Sequence, residues 1–303
     1  MCGIVGLHLR SPDLYPQLGE LLTGMLCAMQ ERGADSAGIA VYGDPAWSPA
    51  GKSAISLIEA DASPEEVAAA VSAALGTEAA VLTCGTTYLV NAAAEPAALL
   101  AAARGACPGV LVGGFGQDLA VLKGVGAPGK LAASWGLPAA QGWQGVGHTR
   151  MATESAVTPG GAHPYAVGPD QCLVHNGSFS NHATIRRELK ARGVEFDSEN
   201  DTEVGARFVA SEMARGGGLD AALGGLIKRF DGFYTLLVSS RDSFAVVRDA
   251  IACKPAVIAE TSDWVAMASE FRALAHLPGV ADARIWEPEP EVIYRWSREE
   301  ASV

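Results

Sequence analysis

Apolar positions follow a helical period in some stretches of the chain and a strand period in others. Between residues 16 and 31, Leu18, Leu21, Leu22, Met25, Leu26 and Met29 recur every three or four positions, which predicts one buried helix face. Arg32-Gly33 supplies its stop. Residues 2–9 and 39–42 read as short apolar strands. From residue 59 to 143 the composition shifts toward alanine and glycine. Ser63-Pro64-Glu65-Glu66 forms a capping box with proline at the first helical position, and Val67, Val71 and Leu75 follow on one face. Strands at 80–90, 109–115 and 119–123 and a helix at 95–104 make this stretch read as a small α/β module, residues 59–143, set into a main domain.

The second half predicts a strand at 172–174 that breaks at His175-Asn176-Gly177-Ser178, then a helix at 181–192 with Ile185 and Leu189 inward. After Glu199-Asn200-Asp201-Thr202-Glu203, the residues Val204, Phe208, Val209 and Met213 mark another helix face. Short strands at 232–239, 244–248, 256–259 and 264–268 alternate with turns, as in an antiparallel sheet, and 289–295 reads as a last strand.

The totals narrow the function classes. The 303 residues carry 22 basic and 34 acidic side chains, a net charge of −12 with no basic run, which argues against nucleic acid or an anionic membrane as partner. No stretch approaches the length of about 18 apolar residues that a membrane span needs, and no secretory leader is evident. Six scattered cysteines never form C-x-x-C, and the six histidines lack H-x-x-x-H spacing. Together these predict a cytoplasmic protein without a disulfide framework and without a metal or cofactor of its own. Gly124-Val125-Gly126-Ala127-Pro128-Gly129 matches G-x-G-x-x-G, yet the proline and the missing βαβ context make it read as a plain loop.

The chemistry concentrates at the start. Cys2 follows the initiator methionine and is small enough for Met1 to be removed. That would place a thiol and a free α-amine on one residue, and a nucleophile activated by its own terminal amine is an established form of covalent catalysis. The alternative is a cysteine that merely opens a buried strand. Likewise Asn176-Gly177 taken alone reads as a type I′ turn, and Arg150 and Asp201 as a surface charge and a helix cap.

Five motifs decide between these readings by their order: Cys2-Gly3-Ile4-Val5-Gly6, Arg32-Gly33-Ala34-Asp35-Ser36-Ala37-Gly38, Gly147-His148-Thr149-Arg150, His175-Asn176-Gly177 and Asn200-Asp201-Thr202-Glu203. In this order the chain resembles the class II glutamine amidotransferases, which are N-terminal nucleophile hydrolases. The resemblance covers nearly all of residues 1–303 except the module. It implies an α+β fold, a four-layer αββα sandwich. It also implies that Cys2 attacks the glutamine side-chain amide to form a thioester and that Asn176 with the Gly177 N–H stabilises the oxyanion. Arg150 would hold the substrate carboxylate, Asp201 its ammonium, and Arg32 would shape the site. Met151 stands where the family often has an aromatic residue.

Gly38 and Gly147 lie 109 positions apart, a longer spacing than in most of the family. That spacing resembles the stand-alone glutaminase subunits of glutamate-synthase-like and N-methylglutamate synthase systems, whose separate partner chains carry flavin and iron–sulfur centres. Two other readings remain: a self-contained amidohydrolase acting on another amide or a γ-glutamyl amine, and a regulatory or interaction subunit with little turnover.

Overall fold

Strand β1 (Gly3–Leu9) is buried along its whole length and alternates between two hydrophobic layers. Val5, Leu7 and Leu9 pack with helix α1 (Leu18–Ala28), whereas Ile4 faces a second sheet. The helix is shorter than residues 16–31 because 3-10 turns take its ends, Pro12–Gln17 before it and Gln30–Arg32 after it. Strand β2 (Ser36–Tyr42) starts earlier than residue 39, since Ala37 and Gly38 also pair in the sheet. This computed structural model describes residues 2–151 and 157–298. Met1, and with it the question of its removal, lies outside the described residues.

A separate four-stranded sheet follows. Strand β3 (Ser53–Ile58) precedes the capped helix α2 (Pro64–Leu75), then come β4 (Ala79–Cys84), β5 (Thr87–Ala92), helix α3 (Pro96–Ala106) and β6 (Leu111–Gly116). Their sheet has the order β4-β5-β3-β6 and its own core, centred on Ile55, Leu57, Val67, Val71, Val90 and Leu99. The stretch 80–90 is thus a hairpin rather than one strand, turning at Gly85, whose φ of 61° suits glycine. The sheet of this module runs from residue 53 to 116, not over the whole of 59–143. Strand β3 is hard to read because Ser53 and Ser56 interrupt its apolar run, yet both are buried and hydrogen-bonded.

Strand β7 (Leu119–Val125) leaves the module and pairs with β2. The glycine tract then turns directly into helix α4 (Pro128–Trp135), where Gly129 lies close to the Cys27 sulfur. Strand β8 (Gln144–Arg150) pairs with both β1 and β2. Beyond it come β9 (Tyr165–Gly168), β10 (Gln171–Phe179) and helices α5 (His182–Ala191), α6 (Asp201–Ala214) and α7 (Leu219–Arg229). The final strands are β11 (Gly232–Ser240), β12 (Ser243–Arg248), β13 (Val257–Glu260), β14 (Trp264–Ala268), β15 (Arg284–Trp286) and β16 (Tyr294–Ser297). The last strand starts later than residue 289 because Pro290 lacks a donor for the ladder and Glu291 turns at φ 60°.

Two antiparallel sheets result, ordered β15-β13-β14-β1-β8-β2-β7 and β16-β12-β11-β10-β9. Helix α1 packs on the outer face of the first, through Leu18, Leu22, Met25 and Leu26. Helices α5, α6 and α7 cover the outer face of the second, where Ile185, Phe208 and Leu226 meet Leu173, Leu236 and Val247. Between the sheets lie Ile4, Val121 and Val146 from one side and Val174, Leu237 and Phe244 from the other. The layers are αββα, with the module added. The sheets approach so closely at Gly6 that a Cβ there would stand 2.4 Å from a methyl carbon of Leu237.

Two buried polar groups fasten the module to this sandwich. Ser56 Oγ of β3 accepts the Val121 N–H of β7 at 2.9 Å. The Asp170 carboxylate accepts the backbone N–H groups of Gln117, Asp118 and Leu119, where the chain re-enters the main sheet.

Candidate active site

Residue Cys2 and the start of β1 are held by groups from three distant parts of the chain, at Arg32, Asn176 and Ser269. The next inward residue, Ile4, donates its N–H to Ser269 Oγ at 2.9 Å, and the Ser269 N–H returns a bond to the Ile4 carbonyl at 2.9 Å. The Cys2 carbonyl accepts two side-chain donors, Arg32 Nε at 2.8 Å and Asn176 Nδ2 at 3.3 Å. Cys2 itself is half-buried and carries a free thiol.

Arg32 is buried, and Glu270 answers its charge at 2.6 Å. Arg272 bonds the other Glu270 oxygen at 2.7 Å and also reaches Glu31 at 2.6 Å. The Arg32 hydrogen bond, with Arg272 beside it, holds the Glu270 carboxyl below its ordinary range. The 3-10 turn after α1 delivers Arg32, and Gly33 then passes against the backbone of Arg150. A Cβ on Gly33 would come within 2.5 Å of the Arg150 carbonyl carbon, so only glycine allows this crossing.

Asn176 and Gly177 lie within β10. The expected break at His175 does not occur: pairing with β11 continues from Gln171 opposite Ser240 to Phe179 opposite Gly232. Gly177 sustains it at φ 145°, and a Cβ there would lie 2.0 Å from the Phe233 carbonyl oxygen. The pair is therefore not a turn. The strand instead carries Asn176 on the inter-sheet face with Cys172 and Val174, which aims its amide at Cys2.

Arg150 ends β8, buried, opposite Ser36 of β2 and one position past the Thr149–Gly3 pair. Its carbonyl accepts the Asp35 N–H at 3.1 Å. Asp201 occupies the first turn of α6 but is not the cap, because Asn200 Oδ1 accepts the Thr202 N–H at 2.8 Å and fills that role. One Asp201 oxygen, Oδ2, accepts the Phe179 N–H at 2.8 Å, two residues beyond Gly177. All six expected residues thus gather around the ends of β1, β8 and β10.

Three histidines that the sequence spaces widely also meet here. Thr202 Oγ1 lies 2.9 Å from His163 Nε2 and 2.8 Å from His175 Nδ1, and the His148 and His163 rings are 4.1 Å apart. Burial drives all three below the ordinary imidazole value: His148 to about 3, His175 to about 4 despite Asp201, and His163 well down. They are neutral at pH 7 and fix Thr202, hence the start of α6 beside Asp201. His148 and His175 stand in the sequence motifs without an assigned task, and no sequence signal marks Ser269 or Glu270. Only a contact across more than 230 positions reveals those two.

Known proteins resemble this chain in sequence and in fold. A family of glutamine amidotransferase domains matches residues 148–276. The chain is 47% identical over 309 residues to the glutamine amidotransferase-like protein GlxB of Rhizobium meliloti (strain 1021), covering all of both chains. It is 41% identical over 123 residues to a glutamine–fructose-6-phosphate aminotransferase (isomerizing) of Leifsonia xyli, covering 40% of this chain and 20% of that one. The solved glutamine phosphoribosylpyrophosphate amidotransferase of B. subtilis superposes with a TM-score of 0.63 at 18% identity. That match covers 98% of this chain and 48% of the larger protein, so the present chain spans about half its length and shares its fold. By sequence across its whole length and by architecture, this chain belongs to the class II glutamine amidotransferase family of enzymes.

Proposed function

We propose that the chain hydrolyses the side-chain amide of glutamine through Cys2 and passes the ammonia to a separate synthase chain. The observation that carries the reading is the convergence of Arg32 and Asn176 on the Cys2 carbonyl. It fixes the nucleophile's backbone while leaving its thiol to point elsewhere.

Removal of Met1 frees the Cys2 α-amine, which takes the thiol proton directly or through one water. The thiolate attacks the amide carbon. Negative charge develops on the amide oxygen, and the second Asn176 Nδ2 proton with the Gly177 N–H stabilises it. Because Gly177 is locked in the sheet opposite Tyr234, its N–H needs no reorganisation when the charge appears. Collapse of this intermediate expels ammonia, which carries the proton taken from the thiol, and leaves a thioester for water to hydrolyse. The Arg150 guanidinium receives the substrate carboxylate, and the Asp201 carboxylate, through Oδ1, receives its ammonium. The protein acts in the cytoplasm, where reduced thiols persist.

The acceptor we propose is a glutamate-synthase-like or N-methylglutamate-synthase-like partner that supplies the flavin and iron–sulfur chemistry itself. Support comes from the module at 53–116, a separately cored addition whose surface is not used by the site. Purified protein incubated with glutamine or with γ-glutamylmethylamide tests the substrate. Ammonia from glutamine, absent in Cys2→Ala, is expected, and methylamine release as the dominant activity would favour a self-contained amidohydrolase instead.

A further inference from the structure

A cavity of about 100 Å³ lies where the module meets the sandwich. The module contributes an apolar wall that includes Leu100, Leu111 and Phe115, and the sandwich contributes Lys123, Tyr165 and, from α6, Glu203 and Arg207. Lys123 is on β7 and 97% buried, because its relative exposure is 3%. Its ammonium sits 4.7 Å from the centre of the Tyr165 ring and, among the described residues, makes no hydrogen bond or ion pair. A desolvated lysine held only by a ring face is costly unless something else answers its charge.

The neighbouring carboxylates are already engaged. Glu203 Oε1 accepts the Asp197 N–H at 2.8 Å and Arg207 Nε at 3.2 Å, while Oε2 accepts the Ser198 N–H and hydroxyl, both at 2.7 Å. Asp197 pairs with Arg207 at 2.6 Å and faces Arg104 at 3.7 Å. Two carboxylates are thus matched by two arginines, and Lys123 is the cation left over. Burial brings its pKa down to about 8 even though Glu203 and Asp197 oppose the shift.

We infer that this cavity binds a small monocarboxylate, its head on Lys123 and its apolar tail against the module wall. A single charge fits because one cation is unmatched, and Glu203 and Asp197 would repel a second negative charge. The site is distinct from the glutamine site. Sheet register puts Ile4, His148, Gly38 and Lys123 in one row, so about 14 Å of sheet separates β1 from β7 at the usual strand spacing.

Butyrate and its neutral analogue butyramide probe the full-length protein by ligand-observed saturation-transfer NMR. Saturable binding of butyrate but not of butyramide is expected. Lys123→Met should weaken it by about tenfold or more, the size of a charge-assisted hydrogen bond. Its melting temperature checks the fold, and removal of a buried charge should not lower it. Leu100→Trp, which keeps the lysine and fills the cavity from α3, should also abolish binding. Equal binding by wild type and Lys123→Met, binding retained in Leu100→Trp, or no saturable binding by the wild type would each overturn the inference. None of these readings depends on glutaminase activity.

Discussion

The module and the nucleophile end are built by opposite means. The module holds itself together locally: Ser63 caps α2, with its hydroxyl accepting the Glu66 N–H while the Glu66 carboxylate accepts the Ser63 N–H. The β4–β5 hairpin, the pairing of β3 with β5, and helix α3 bring Leu57, Val90 and Leu99 into one apolar cluster. The Cys2 end is fixed, beside the apolar packing of β1, by buried polar contacts joined across the chain. Ser269 meets Ile4 over 265 positions, Glu270 meets Arg32 over 238 and Asn176 meets Cys2 over 174. Stability in the first region comes from burial, which many sequences supply. Geometry in the second depends on individual donors and acceptors, each costly to leave unpaired once buried.

This contrast is open to attack from both sides. The largest effect is expected at Asn176, the proposed oxyanion donor: replacement by alanine should lower kcat for glutamine hydrolysis about 100- to 1000-fold, the usual consequence of losing one such donor. Circular dichroism should show the fold retained, and near-normal kcat would remove Asn176 from the mechanism. Leu99→Ala attacks the module instead. It empties a fully buried position and should cost about 2–5 kcal/mol in chemical denaturation without changing kcat.

Acid strikes the polar region next. His148, His163 and His175 are held neutral in the fold but protonate when unfolded, near the ordinary value of 6.5. The unfolded state therefore binds more protons below that value, and stability falls as the pH drops from about 6.5 toward 4. Each histidine contributes up to about 1.4 kcal/mol per pH unit, and somewhat less close to its unfolded value of 6.5, so the trio removes roughly 3 to 4 kcal/mol between pH 6 and pH 5. A flat denaturation midpoint over that interval would show that the trio is not buried and neutral. The smallest effect is at the cap, where Ser63→Ala should cost about 1 kcal/mol and leave catalysis untouched.

The two regions also differed in how far the sequence revealed them. Helices α1, α2, α5 and α6 announce themselves because one face repeats at helical spacing. Helix α7 does not, although Leu219, Ala222, Leu223 and Leu226 keep helical spacing, because Gly216-Gly217-Gly218 before it and Gly224-Gly225 in its middle read as loop. The hairpin at Gly85 was hidden because apolar character runs nearly unbroken through both of its strands. Cys2, Arg32, Arg150, Asn176, Gly177 and Asp201 were legible through the order of short motifs that resemble a known family. Their partners were not. Serine and glutamate at 269 and 270 follow an ordinary strand, and only the sheet pairing of β14 with β1 turns them toward Cys2. The histidine trio likewise emerges only when β8, β10 and the start of α6 converge.

The central claim is that the sulfur of Cys2, freed at the chain terminus, attacks the substrate amide. A glutamine analogue bearing an electrophilic diazo ketone in place of the amide, followed by mass spectrometry of the N-terminal peptide, tests it most directly. One equivalent of label is expected on Cys2 in a peptide that has lost Met1, with inactivation in proportion to labelling. Full glutaminase activity in protein that retains Met1, or label on another cysteine with Cys2 unmodified, would contradict it.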